Sequence, residues 1–170
     1  MAFNVKTVTA SFACPAGTPT YSANDLVANS ATAADVVPME FTASISATGS
    51  FLVRRARLKK TNTTVTNASF RLHLYGSDPS ASSGVTNGDE GAWLTKEAGY
   101  IGWIDIDLTG ANGKVFSDYS KGFGAPSVGS ELAEKFAAGT TLYGLLQVLA
   151  GYTRSAAEVF DVTLELVQNS

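Results

Sequence analysis

Apolar and polar residues alternate with a period of two along much of this chain, and that period belongs to β-strands. In Glu158 to Val167, Phe160, Val162, Leu164 and Leu166 share one parity, while Asp161, Thr163 and Glu165 share the other. Gly99 to Leu108 repeats the arrangement, with Ile104, Ile106 and Leu108 set against Trp103, Asp105 and Asp107. In Ala68 to Tyr75, Phe70, Leu72 and Leu74 face a core while Arg71, His73 and Tyr75 face away. Phe3 to Ala13 is rich in Val, Thr and Phe, and Met39 to Ser46 alternates imperfectly between Pro38 and Gly49. Phe51 to Thr61 follows, and Lys114 to Tyr119 reads as a short strand. Thr141 to Leu149 is nearly all apolar, which predicts a strand covered on both faces. Only Val128 to Ala138 has helical spacing, with Leu132 and Phe136 four apart and Ser130 as a possible cap.

About eight strands punctuated by Gly, Asn, Ser and Pro predict an all-β chain. The expected fold is a single-domain antiparallel β-sandwich over 1–170, jelly-roll-like rather than a barrel. Two connections are long, 15–38 and 76–99, and both are rich in small polar residues. Loops of that length are often binding segments or disordered, and one that is loose when free can order against a partner.

Composition sharpens this picture. The 170 residues fit one domain, and 45% hydrophobic residues can build its core. Charged residues make up 16%, below the ~25% common in soluble domains, and small neutral residues take their place. Such a surface suits a protein largely covered by neighbours. Net charge is −3, from 12 basic and 15 acidic side chains, so no global pull toward nucleic acid exists. The single cysteine, Cys14, has no internal disulfide partner and reads as a buried free thiol. The first residues lack a basic segment followed by an apolar one, so no signal peptide is expected. The uncharged stretch Ala137 to Thr153, of 17 residues, falls short of the ~20 a spanning helix wants, so no membrane segment is expected.

Candidate chemistry is sparse. His73, the only histidine, sits at an ordinary outward strand position with no nucleophile or orienting acid nearby in sequence. Asp105 and Asp107 share a strand face. They could form a metal or acid–base pair, or a solvated face opposite a basic strand. Asp78, Asp89 and Glu90 could supply oxygen ligands to calcium, but their spacing matches no dedicated loop. Gly122-Phe123-Gly124 lacks the strand-then-helix context of a dinucleotide site, and no nucleophile elbow appears. The expectation is a chain that is not an enzyme and uses no cofactor or metal.

Surface features point to partners instead. In Arg54-Arg55-Ala56-Arg57-Leu58-Lys59-Lys60, residues Arg55, Arg57 and Lys59 project on one side of a strand. They either pair with acids such as Asp161 and Glu165 on a neighbouring strand or dock onto an acidic protein surface. Nucleic acid ranks third because no aromatic platform interleaves with these charges. Trp93 and Tyr100, with Trp103, form a second candidate cluster, either interface or core anchors or a stacking platform for sugars.

Tyr21 to Ala33 followed by Val37-Pro38-Met39-Glu40-Phe41 resembles small virion proteins of tailed bacteriophages. So do Arg55-Ala56-Arg57-Leu58-Lys59-Lys60, the strand Phe70 to Tyr75, and Asn87-Gly88-Asp89-Glu90-Gly91-Ala92-Trp93. These stretches are similar to capsid decoration, or cement, proteins of jelly-roll fold. The likeness spans Tyr21 to Asp107 and, more loosely, the last strand. It implies a structural protein on the capsid exterior, made in the host cytoplasm, that binds the major capsid protein and itself as a dimer or trimer. It implies neither nucleic-acid nor membrane binding. The competing expectation is a carbohydrate- or receptor-binding β-sandwich of a phage tail fibre.

Overall fold

The two-residue periodicity is realised as two antiparallel sheets stacked face to face. A computed structural model describes residues 3–43, 48–79, 87–94, 98–111, 113–127, 132–137 and 141–169. Among them run β1 (Phe3–Ala13), β2 (Thr20–Tyr21), β3 (Leu26–Val27), β4 (Met39–Thr42), β5 (Thr48–Lys60), β6 (Ser69–Tyr75) and β7 (Tyr100–Asp107). They continue with β8 (Lys114–Val115), β9 (Ser120–Gly124), β10 (Leu132–Ala137), β11 (Thr141–Val148), β12 (Tyr152–Thr153) and β13 (Val159–Asn169). A 3-10 turn spans Ala33–Asp35. The larger sheet is ordered β1-β13-β5-β9-β8, with β10 also on β5. The second is ordered β3-β11-β6-β7, with β4 also on β11, and β2 pairs with β12.

The predicted parities set the core. Ala56, Leu58, Phe160, Val162, Leu164 and Leu166 of the larger sheet are buried in one cluster with Phe70, Leu72, Leu74, Ile104, Ile106, Leu142 and Leu146 of the second. Phe70 meets Phe160 edge-on, with ring centroids 5.6 Å apart, and so links the sheets. Truncating one of these leucines to alanine costs roughly 2–5 kcal/mol. β11 is buried on both faces, as its apolar run requires.

One side of the sandwich closes where β9 lies against β7. A side chain on Gly124 would come within 2.0 Å of the Asp105 carbonyl oxygen, and one on Gly122 within 3.0 Å of that of Asp107. The Gly-Phe-Gly stretch is thus a site of close backbone approach, with Phe123 turned outward. On the opposite side β1 runs beside β4, and Lys6 Nζ donates to the Thr42 carbonyl at 3.2 Å.

Three expectations need correction. The helix expected over Val128 to Ala138 is β10, paired with β5 from Leu132↔Val53 to Ala137↔Thr48. The reason is long-range. β9 pairs only Ala56 to Lys60 of β5, and β10 satisfies the backbone on that side of its first half. Leu132 and Phe136 share a parity in a strand as well as a helix face, so their spacing did not discriminate. Ser130 lies outside the described residues. Lys114 to Tyr119 is not one strand but the start of a hairpin, in which Phe116 N donates to the Tyr119 carbonyl. The segment 15–38 is not an open loop. It carries β2, β3 and the 3-10 turn, and it buries Leu26, Ala28 and Val36 in a second small core with Tyr75 and Leu145. No helix among the described residues is long and apolar enough to cross a membrane.

Candidate functional site

Most of the chain's ionisable chemistry is consumed inside. Arg154 is buried and uses its whole guanidinium. Nε donates to Tyr21 Oη (2.9 Å), Nη2 to Asp89 Oδ2 (2.9 Å), and Nη1 to the carbonyls of Pro15, Gly17 and Ser155. Asp89 Oδ1 accepts from the Tyr21 hydroxyl (2.7 Å) and from Ala28 N (2.9 Å). This cluster ties residue 89 of the second long connection to the first, which explains why an acid sits there. Both Asp89 oxygens are thus taken up by donors of the protein itself. Cys14 lies beside it, and burial together with the Asp89 charge pushes its thiol up to about 12, which keeps it protonated and unreactive.

A second buried pair lies close by. Lys60 points inward and spends its three donors on Glu158 Oε1 (3.1 Å) and the carbonyls of Asn62 (2.9 Å) and Thr64 (2.7 Å). Glu158 in turn accepts from the Tyr152 hydroxyl. Burial lowers the Lys60 ammonium from its usual range, and Glu158 opposes that shift. Among the described residues no group of three His, Cys, Asp or Glu is placed to hold a metal ion.

His73 faces outward from the sandwich core, as expected, yet it is only 5% exposed. Trp93, from the second long connection, stacks on its ring at 3.9 Å. Its Nε2–H donates to Gln147 Oε1 (3.0 Å), leaving Nδ1 to accept from the Tyr100 hydroxyl (3.0 Å). Burial, helped by the Arg71 charge and opposed by Gln147 and Asp105, pulls the imidazole down to about 4. The ring is therefore neutral and structural at neutral pH. One strand away Trp103 stays half exposed, with Arg71 5.1 Å from its ring centre. Arg71 holds both oxygens of Asp105 at 2.6 and 2.8 Å, and Asp107 caps Thr109 N at 2.8 Å. The two aspartates thus form a solvated face opposite a basic residue.

The outer face of the larger sheet is different. The β5–β13 ladder shifts register between Glu165↔Arg55 and Leu166↔Val53, so Arg54 is the extra residue of a bulge. Arg54, Arg55 and Arg57 then converge on one carboxylate. Their guanidinium nitrogens lie 3.5, 2.6 and 3.3 Å from Glu165. The Arg55 hydrogen bond, with the neighbouring charges, holds the Glu165 carboxyl below its ordinary value. Two residues along, one cross-strand row reads Ser11, Asp161, Lys59, Lys121, Lys114. Asp161 takes Lys59 at 3.5 Å and bonds the Ser11 hydroxyl. Neither Lys121 nor Lys114 has an ion-pair partner among the described residues.

Aromatic rings lie between these charges. Phe116 and Tyr119 stack at 4.5 Å, with Lys121 over Phe116 (5.5 Å) and Lys59 over Tyr119 (5.1 Å). Arg55 sits 5.7 Å from the centre of Phe123, which is 41% exposed. Among the described residues this face carries six basic side chains against Asp161 and Glu165, on a chain of net charge −3. Asp118 lies at the hairpin tip. Two shallow depressions mark it. One, of about 390 Å³, lies along Thr9, Arg57, Lys59, Asp161 and Thr163. The other, of about 280 Å³, lies along Lys114, Gly122 and Phe123, and the two share Arg57 and Lys121.

The five residues expected to bind a partner therefore separate. Arg55, Arg57 and Lys59 stand on the larger sheet, while Trp93 and Tyr100 clamp His73 on the other. Pairing of the basic strand with Asp161 and Glu165 is present. In space β9 and the hairpin bring Phe123, Tyr119 and Phe116 beside the basic run, a proximity that no local pattern of the run shows. Lys114, Lys121 and Arg54 were missed as site residues. Lys114 and Lys121 flank the turn-forming Ser117-Asp118, which is the signal that they lie opposite one another. No protein-family model matches this chain, and no curated protein matches it.

Proposed function

We propose that this chain is a virion structural protein, without enzymatic activity, that binds the outside of a major capsid protein shell and stabilises it as a decoration or cement protein. The same reading takes the sandwich as a jelly roll and the protein as a dimer or trimer on the capsid exterior. The observation that carries it is the bare outer face of the larger sheet, where Arg54, Lys114, Lys121, Phe116 and Phe123 stand exposed together. On the inside, Arg154 and Lys60 spend their donors on hydrogen bonds within the fold. Decoration needs area and complementary charge rather than reactive groups. A stable contact buries about 1,600 Å² in total, and many symmetry-related copies turn weak contacts into firm binding by avidity. The sequence likeness from Tyr21 to Asp107 supports the same reading.

The test is co-sedimentation with purified shells. Wild-type protein is expected to pellet with them and raise the temperature at which they open. Arg57→Glu combined with Phe123→Ala is expected to lose at least tenfold in shell affinity. Wild-type protein left in the supernatant at saturating shell concentration overturns the proposal.

A carbohydrate- or receptor-binding role is the second reading. The half-exposed Trp103 beside the Arg71–Asp105 pair favours it, since an indole face next to planar hydrogen-bonding groups suits a sugar ring. Glycan-array binding lost in Trp103→Ala would support it. Trp93 is the wrong residue to test, because its ring is already stacked on His73.

A further inference from the structure

Lys59, Lys121 and Lys114 stand directly opposite one another on three adjacent strands. Neighbouring strands lie about 4.8 Å apart, and like charges placed directly opposite oppose folding. Among the described residues only Lys59, at one end, has a carboxylate within ion-pair distance. A chain with 15 acidic residues places none within ion-pair distance of Lys121 or Lys114 among the described residues. Stacked Phe116 and Tyr119 hold two of the three ammonium groups in place, so the row is ordered before anything binds. The depression beside it is lined by Arg57, Lys114 and Lys121 with Ala111, Gly122 and Phe123, and by no acid.

From this geometry we infer that the trough over Lys59, Lys121 and Lys114 binds an acidic peptide segment, with carboxylates on the lysine row and an apolar side chain against Phe123. The inference rests on the docking reading above and names the chemistry of the partner surface. A peptide fits better than a nucleic-acid strand because Phe116 and Tyr119 stack on each other with a lysine over each ring, and Phe123 carries Arg55, so the rings do not form the open stacking platform that bases use.

The experiment is fluorescence anisotropy with a labelled peptide of alternating Asp and Glu around a central Leu, and with a single-stranded oligonucleotide of equal charge. Lys114→Glu and Lys121→Glu, and the milder Lys114→Gln and Lys121→Gln, are compared with wild type after circular dichroism confirms their fold. The expected result is peptide binding that weakens with salt and drops at least tenfold in each Glu variant and less in each Gln variant. Peptide binding unchanged in the Glu variants overturns the inference, and so does tighter binding of the oligonucleotide at equal salt. Shell co-sedimentation separates the two proposals. Shells that bind wild type and both Glu variants equally leave decoration standing and overturn the trough. A peptide that binds the trough while wild type ignores shells supports the trough and overturns decoration.

Discussion

The two sheets present opposite solutions on their outer faces. Outside β6 and β11, the chain covers itself: Trp93 lies on His73, and Leu26, Ala28 and Val36 pack over Tyr75 and Leu145. Outside β5 and β13, nothing among the described residues lies over the ladder of arginines, lysines and rings. Beneath that cover His73, Tyr100 and Gln147 are neutral and hydrogen-bond one another. The bare face holds more cations than its acids can pair. Burial is compatible only with the first, because an unmatched charge taken out of water costs several kcal/mol. The uneven distribution of charge thus decides which face stays open to solvent.

The largest effect is expected where the cover is fastened. Asp89→Ala leaves Arg154 as a buried cation without its carboxylate and should cost about 3–5 kcal/mol in urea unfolding. It should also open residues 87–94 to proteolysis, exposing the face beneath. If Asp89→Ala unfolds like the wild type, the fastening role is wrong.

Acid should loosen the same cover. His73 titrates near 4 in the fold and near 6.5 when unfolded. Between those values the unfolded chain binds a proton that the folded chain does not. Stability therefore falls as pH drops from 6.5 to about 4 and levels off below that, by roughly 3 kcal/mol at most. His73→Gln should flatten this part of the stability–pH curve. An unchanged slope in that variant assigns the effect elsewhere.

Trp93→Ala removes one stacked ring from a partly covered site and should cost about 2 kcal/mol, checked by thermal unfolding. The smallest effect is on the bare face and has the opposite sign. Lys121→Glu replaces the central charge of the lysine row with its complement and should stabilise the fold by a few tenths to about 1 kcal/mol. A clear loss of stability would mean that the row is held together by something other than exposed charges.

How far the chain could be read from its residues depends on the range of the forces involved. Phe160, Val162, Leu164 and Leu166 declared their side by alternation alone. So did Arg57 and Lys59, whose expected partners Glu165 and Asp161 are the ones found. The bulge at Arg54 was not legible, since it depends on register with β13. Lys60 continues the parity of Ala56 and Leu58, yet its burial needs Glu158, far away in the chain. Of the site, the basic strand was visible, while the hairpin lysines and rings beside it were not.

By itself the sequence determined that the chain is built of strands and which residues of each strand share a face, because side-chain alternation is a property of the extended backbone at every position. Only the tertiary structure decided that β10 is a strand, that one outer face is roofed by the chain's own connections, and that three lysines line up on the other. Those outcomes depend on which strands become neighbours and in what register. That choice is made by backbone pairing and burial across the whole chain, and no local pattern encodes it.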